Sequence, residues 1–415
     1  MKLIRPFNAL RPQKELAKKV AAPPYDVLNR QEAWQMAQGN EFSFLRINKP
    51  EIDVPAETDP YSPQVYQRGA ENLQKFIKTG IMHRDEKPTY YVYRQIMGAH
   101  QQTGLVAAAS VDAYEAGLIK KHEFTRPDKE DDRVNHINTL SAQVGPVFLT
   151  YRARPAIDAL IDQVCEGEPE YNFISDDGNH HILWVIREQS IVDQLQAQFD
   201  QVDCLYVADG HHRSAAASRV RELRRKANPQ HTGQEAYNFF STVIFPDKQM
   251  QILDYNRVVK DLNGLSEAAF MAEVQRNFSV EETLNSQTAK PMVEHQFGMY
   301  LGGKWYTLSA KAGSWPEGDP VDSLDVSILQ NNLLAPTLGI KDQRTDKRID
   351  FVGGIRGLKE LAKRVDSGDW QLAFALHPTS IQSLMAIADA GEVMPPKSTW
   401  FEPKLKSGLF VHILD

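Results

Sequence analysis

The chain has 415 residues, of which 42% are hydrophobic and 24% charged, with a formal net charge of −7. This length and balance predict a globular protein of two or three domains and exclude a disordered chain. An isoelectric point near 6.0 excludes a global basic field for gripping nucleic acid.

The N-terminal apolar stretch is too short for a secretory signal, and Arg5 and Pro6 interrupt it. No run approaches the ~18 apolar residues that a membrane-spanning helix needs. The two cysteines, Cys165 and Cys204, form no CxxC and fit a reducing compartment. A cytoplasmic protein without membrane partners is expected.

The segment up to about Pro60 is rich in proline and turns, and Ala21–Val27 is extended because each proline disfavours helix in the residue before it. Tyr61 to Thr79 then has helical spacing, with Pro63 suited to a first turn. Pro88 to Met97 is aromatic and β-branched, a strand, and Leu105 to Tyr114 is its antiparallel partner across a turn at Gly98–Gly104. The polar stretch Lys120–Asn138 ends in a helix, followed by a short strand at Val147–Tyr151. A helix at Pro155–Cys165, a strand at His181–Arg187 and a helix at Ile191–Phe199 come next. Cys204–Ala208 is a short buried strand running into Asp209–Gly210, and an Ala- and Arg-rich helix begins by about Ser214.

A second α/β portion starts near Ala236. It comprises strands at Phe239–Phe245 and Ile252–Val259, a hairpin around Gly302–Gly303 and helical periodicity over Val321–Leu334. A buried strand at Trp370–Leu376 and a helix at Ile381–Ala390 follow. The fold class is therefore α/β, mixed α+β, with domains at 1–235 and 236–415.

The sharpest chemical signal is Asp209-Gly210-His211-His212-Arg213. A buried strand ends, glycine permits a sharp turn, and a helix starts whose first amides have no intrahelical acceptor. Beside the positive end of the helix dipole, those amides suit an anion. Arg213 adds a planar fork for phosphate oxygens, and His211 and His212 add donors. Asp209 would repel phosphate, so it caps the helix or holds a divalent metal. Zinc on His211 and His212 is disfavoured, because adjacent helical residues point roughly 100° apart.

A second constellation is His122-Glu123-Phe124-Thr125 with Arg133 downstream. Glu123 is a candidate general base, and Arg133 a candidate phosphate ligand, against the alternative of a solvated charged face. The tail Lys397-Ser398-Thr399 through Lys404 has lysines that could close over an anion, or it is surface. Tyr25 and Asp26 lie on a rigid extended segment from which the acid could reach a substrate or cap a helix.

Taken together, these stretches resemble a bacterial family labelled SpoOJ/ParA/ParB/RepB, within the ParB/sulfiredoxin superfamily that includes the free serine kinases. The resemblance rests on Ala22–Val27, His122–Thr125 with Arg133, Val207–Arg213 and Lys397–Lys404 with Ser407-Gly408. It implies a ParB/sulfiredoxin-like nucleotide-binding core using ATP or ADP with Mg²⁺. Phosphate and nucleotide would lie on Gly210, His211, His212, Arg213, Thr125, Arg133, Lys397, Ser398 and Lys404. Glu123, His122 and Asp209 would be catalytic, and Asp209 would also hold the metal.

The implied activity is phosphoryl transfer to a small hydroxyl-bearing metabolite such as serine, with a non-catalytic nucleotide-binding regulator as the alternative. DNA partitioning ranks last: no helix-turn-helix and no basic stripe is found, and nucleic acid is not an expected partner. Position 212 is His where sulfiredoxin needs cysteine. A homo-oligomer is compatible with the sequence.

Overall fold

Tyr91–Met97 alternates bulky side chains across a pleat and forms the centre of a hairpin with His100–Ser110. The turn is tight, with Gly98 at φ 59°. Gly104, expected in the turn, instead sits in the second strand, where a Cβ would stand 2.8 Å from the Ile244 carbonyl oxygen. The strand expected to run to Tyr114 stops at Ser110. There the serine side chain accepts the Ala113 N–H and starts a short helix, Val111–Glu115.

The computed structural model describes residues 1–415 and contains two compact units, Met1–Met250 with Pro403–Asp415, and Gln251–Glu402. The first unit is built on a nine-stranded mixed sheet. Along its path lie Ile119–Lys120, Leu205–Asp209, Val147–Tyr151, Phe239–Pro246, His100–Ser110, Tyr91–Met97, His180–Val185 and Tyr171–Ile174, while Ile4–Arg5 pairs with His100–Ser110. Two neighbour pairs are parallel: Leu205–Asp209 with Ile119–Lys120, and Phe239–Pro246 with Val147–Tyr151. The strand at 239–246, assigned from sequence to the second portion, thus belongs to the first unit's sheet.

Its core combines Val92, Leu105, Val147, Leu149, Leu205, Val207 and Ile244 with helix residues Ile157, Ile161, Leu195 and Phe199. Helix Pro63–Lys78 buries Val65, Tyr66, Leu73 and Phe76 with Pro63 in its first turn, and helix Pro127–Leu140 packs between it and helix His211–Ala227.

The second unit carries a six-stranded sheet in the order Phe278–Thr283, Lys304–Ala310, Gln296–Leu301, Leu372–Leu376, Tyr255–Val259 and Ile349–Gly353. All its pairings are antiparallel. The stretch expected as one strand over 252–259 breaks at Asp254 into Ile252–Leu253 and Tyr255–Val259. The helical periodicity of 321–334 resolves into a short α-helix, Asp325–Leu329, that widens into a π-turn over Gln330–Leu334. No helix is long and apolar enough to cross a membrane.

Candidate functional site

The site forms where two parallel strands of the first unit end. Ile119–Lys120 runs beside Leu205–Asp209, with Leu205 opposite Ile119, so the segments after both strands emerge together. Gly210 takes φ 101°, and a Cβ there would lie 3.1 Å from the Arg213 guanidinium. Conformation and close approach both require glycine at this position. The helix starts at once, at His211, three residues earlier than expected from the Ala-rich stretch. No side chain caps it, and Ser214 N–H to Gly210 O is the first bond of its ladder. The first-turn amides, which have no intrahelical acceptor, are those of His211, His212 and Arg213.

Asp209 does not cap this helix. Its carboxylate accepts from Lys404 Nζ at 3.2 Å and lies 3.7 Å from Arg213 Nη2. Burial pushes its pKa up, but the charges of Lys404 and Arg213 outweigh burial and hold it below the ordinary carboxylate range. A carboxylate already shared by two cations is a poor place for a divalent metal, which corrects the expectation that Asp209 holds one.

His211 and His122 are both buried, with ring centroids 4.4 Å apart and planes at 90°. His211 Nε2 faces the His122 backbone N–H at 3.5 Å, and its Nδ1 lies 3.8 Å from a Glu123 carboxylate oxygen. Burial lowers the pKa of His122 to about 4, against smaller opposing effects of the Val207 backbone and Asp209. Burial, and then the neighbouring His122, hold that of His211 well below the ordinary histidine range. Both rings are thus neutral at pH 7. His212 points another way, with Nε2 accepting the Arg126 N–H at 3.0 Å.

Arg213 is buried, and its Nη1 donates to the Pro146 carbonyl, whereas Nε has no partner. Together with Tyr25, Asn48, Arg133, His136 and Gly145 it lines a cavity of about 20 Å³, room for about one water molecule. Arg133 donates twice to Asp132, at 3.0 and 2.7 Å, and its guanidinium lies 3.8 Å above the Tyr25 ring. Tyr66 OH donates to the same Asp132 at 3.0 Å.

Glu123 thus meets His211, while Arg213 and Lys404 meet Asp209 two positions earlier in the chain, and Arg133 and Tyr25 line the cavity beside Arg213. Thr125 instead donates to Glu130 at 2.8 Å in the first turn of helix 127–140, and Asp26 is exposed. Lys397 and Ser398 belong to the second unit. There Lys397 stands 5.6 Å above the Tyr255 ring, and Ser398 Oγ donates to Pro395 O at 2.6 Å. Asn48 and Gly145 were not expected in the site from sequence. A run of polar and glycine positions is uninformative until the cavity they line is known.

The chain belongs to a family described as a protein of unknown function, DUF1015, whose profile matches residues 4–327. This overturns the resemblance to the SpoOJ/ParA/ParB/RepB family. Each of the four stretches behind that resemblance is short, and together they did not specify the family. No curated protein matches the chain.

Among solved structures, a conserved hypothetical protein from Pyrococcus furiosus is 15% identical, with a TM-score of 0.35, covering 73% of this chain and 95% of that one. A free serine kinase in complex with AMP is 14% identical with a TM-score of 0.37, covering 74% and 91%. SbnI from Staphylococcus aureus, truncated at its C-terminus, is 12% identical with a TM-score of 0.38, covering 74% and 87%. At these scores the likenesses say nothing about activity or ligand.

Proposed function

We propose that the turn Asp209–Arg213 binds the phosphates of a nucleotide, ATP or ADP, and that the site transfers a phosphoryl group to a small hydroxyl compound. The observation that carries this reading is the uncapped first turn of helix 211–227. Around it stand a carboxylate, Glu123, and two cations, Arg213 and Lys404. Backbone amides and the helix dipole favour phosphate oxygens there. Arg213 has an unused Nε–H, and Lys404 supplies a point charge for the negative charge that develops on transfer. Glu123 takes the proton from the acceptor hydroxyl as its oxygen bonds to the terminal phosphorus, and the bridging P–O bond breaks to leave the nucleotide one phosphate shorter. Magnesium, if it takes part, would arrive with the phosphates, since Asp209 is already paired.

A thermal-shift series with ATP, ADP and AMP, with and without Mg²⁺, tests binding, because a ligand of the folded state alone raises the melting temperature. Turnover is then measured with small alcohols and hydroxy amino acids, serine among them. Glu123→Gln should leave nucleotide binding nearly intact and cut turnover about 10²–10⁴-fold. Absence of any shift at millimolar nucleotide would remove the proposal. Binding without turnover would leave a nucleotide-responsive regulator in its place.

A further inference from the structure

We propose that His122, Glu123 and His211 form a binding site for a divalent transition-metal ion of the zinc or cobalt class. The inference stands apart from the phosphoryl-transfer reading and survives its failure. Strand pairing brings the ligands together: the parallel neighbours Ile119–Lys120 and Leu205–Asp209 deliver His122 and His211 side by side although 89 positions separate them. One ligand atom from each of the three residues lies within 4.8 Å of the others, and His211 Nδ1 is 3.8 Å from Glu123 Oε2. Around a tetrahedral ion with bonds of roughly 2.0–2.2 Å, ligand atoms stand roughly 3.3–3.6 Å apart. The widest separation therefore closes by no more than about 1.5 Å, and Glu123, with a side chain 36% exposed, is the most accessible of the three.

A second, independent observation concerns His122. The residue is 2% exposed, and neither of its ring nitrogens has a hydrogen-bond partner of normal geometry. Buried polar groups are as a rule paired, and three other buried histidines of this unit follow that rule. His136 Nε2 meets Ile47 O at 2.9 Å, His412 Nε2 meets Ala236 O at 2.9 Å, and His181 is held by Tyr93 and Ser175. His122 keeps a buried imidazole beside a second imidazole and a carboxylate, which is how a metal ligand is presented.

Two imidazoles and one carboxylate suit zinc, cobalt or ferrous iron and leave a coordination position open. Magnesium prefers oxygen donors in octahedral array and fits this set poorly. Coordination through His211 Nδ1 places the ring proton on Nε2. The His122 amide contact at 3.5 Å, already at the outer limit of a hydrogen bond, is then given up. At the open position, a bound water or substrate hydroxyl would lose its proton more readily. In the loaded protein, where Glu123 is a ligand, hydroxide left on the ion when a bound water releases its proton to solvent would be the base instead.

The test is a titration of the metal-stripped, full-length protein with Co²⁺, followed by visible absorption. The expected result is a d–d band that saturates at one equivalent, is abolished by Zn²⁺ and is indifferent to excess Mg²⁺. His122→Ala and Glu123→Ala should each weaken Co²⁺ binding by more than the roughly 10–100-fold that loss of an outer-shell partner costs. His212→Ala should leave it nearly unchanged, because that ring is directed at Arg126. The partial exposure of Glu123 keeps the second variant informative if the first fails to fold. Absence of the band at millimolar Co²⁺, or wild-type affinity in Glu123→Ala, would overturn the proposal. Nucleotide thermal shifts on metal-stripped protein report separately on the phosphate site.

Discussion

Arg213 in the first unit and Arg257 in the second are both buried, at 7% and 0% exposure, yet their surroundings differ. Arg257 donates to Gln343 Oε1 at 3.3 Å, to the Tyr255 carbonyl and to the Lys397 carbonyl at 3.2 Å, and its guanidinium lies 5.4 Å above the Phe351 ring. Its partners are neutral acceptors and a ring, and burial draws its pKa down to about 10. Arg213 has a carboxylate nearby, a donor without a partner and a cavity beside it. Burial of a charge therefore does not mark a site. What distinguishes the first unit is that its buried polar groups face one another at strand ends, while Arg257 is spent on tying backbone together.

Acid should separate the two units most strongly. In the first, burial lowers His136 and His181 to about 3 and His412 to about 4, each from an ordinary value of 6.5. The unfolded chain binds these protons first, so this stability is whole above pH 6.5 and drains away as pH falls towards 4. Each histidine contributes a loss of up to about 1.4 kcal/mol for every pH unit in that window. In the second unit, burial raises Asp325 to about 6. The folded state there binds its proton first, so this contribution changes in the opposite sense, improving as pH falls from 6 towards 3.8. Hydrogen exchange resolved by segment, corrected for the intrinsic rate, should show protection lost first in residues 1–250. Equal loss in both units would break the contrast.

The arginine pair gives the next largest effect. Arg257→Ala strips several buried acceptors of their donor, at roughly 1–3 kcal/mol each, and should lower stability in denaturant unfolding by more than about 3 kcal/mol. Arg213→Ala should change stability less and weaken nucleotide binding about ten- to hundred-fold, as loss of a charge-assisted bidentate contact does. A reversal of the two outcomes would make Arg213 the structural residue.

How much of this was legible in the sequence follows from the same physics. The hairpin around Gly302–Gly303, the helix at 155–165 and the strand entering Asp209 show in local patterns, because apolar spacing and turn residues act within a few positions. His122–His211 pairing does not show. It depends on the strand Ile119–Lys120, too short at 2 residues to display a period. The ion pair of Asp209 with Lys404 spans 195 positions and leaves no local trace either, so a capping or metal role was the natural reading of an Asp-Gly turn.

The smallest test compares helix starts. Helix Glu267–Asn277 in the second unit is capped by Ser266, whose side chain accepts the Ala269 N–H at 3.3 Å, whereas helix 211–227 has no such cap. Ser266→Ala should cost about 1 kcal/mol in thermal or denaturant unfolding. Several other helices, among them Pro63–Lys78 and Gln189–Phe199, also start without a side-chain cap, so no loss would show that a missing cap alone does not single out the start at His211.

The return of residues 403–415 to the first unit has a consequence for its biosynthesis. Val411 bridges to Leu10, Ser407 bridges to Ala22, and His412–Ile413 pairs with Ala142–Gln143. A ribosome releases the chain from its N-terminus, so all of residues 251–402 emerge before these contacts can form. Until Lys404 arrives, Asp209 has Arg213 but not the lysine beside it. The proposed anion site thus acquires its final charge balance only once residues 403–415 are translated, and a nascent chain stalled before position 404 presents the turn without Lys404.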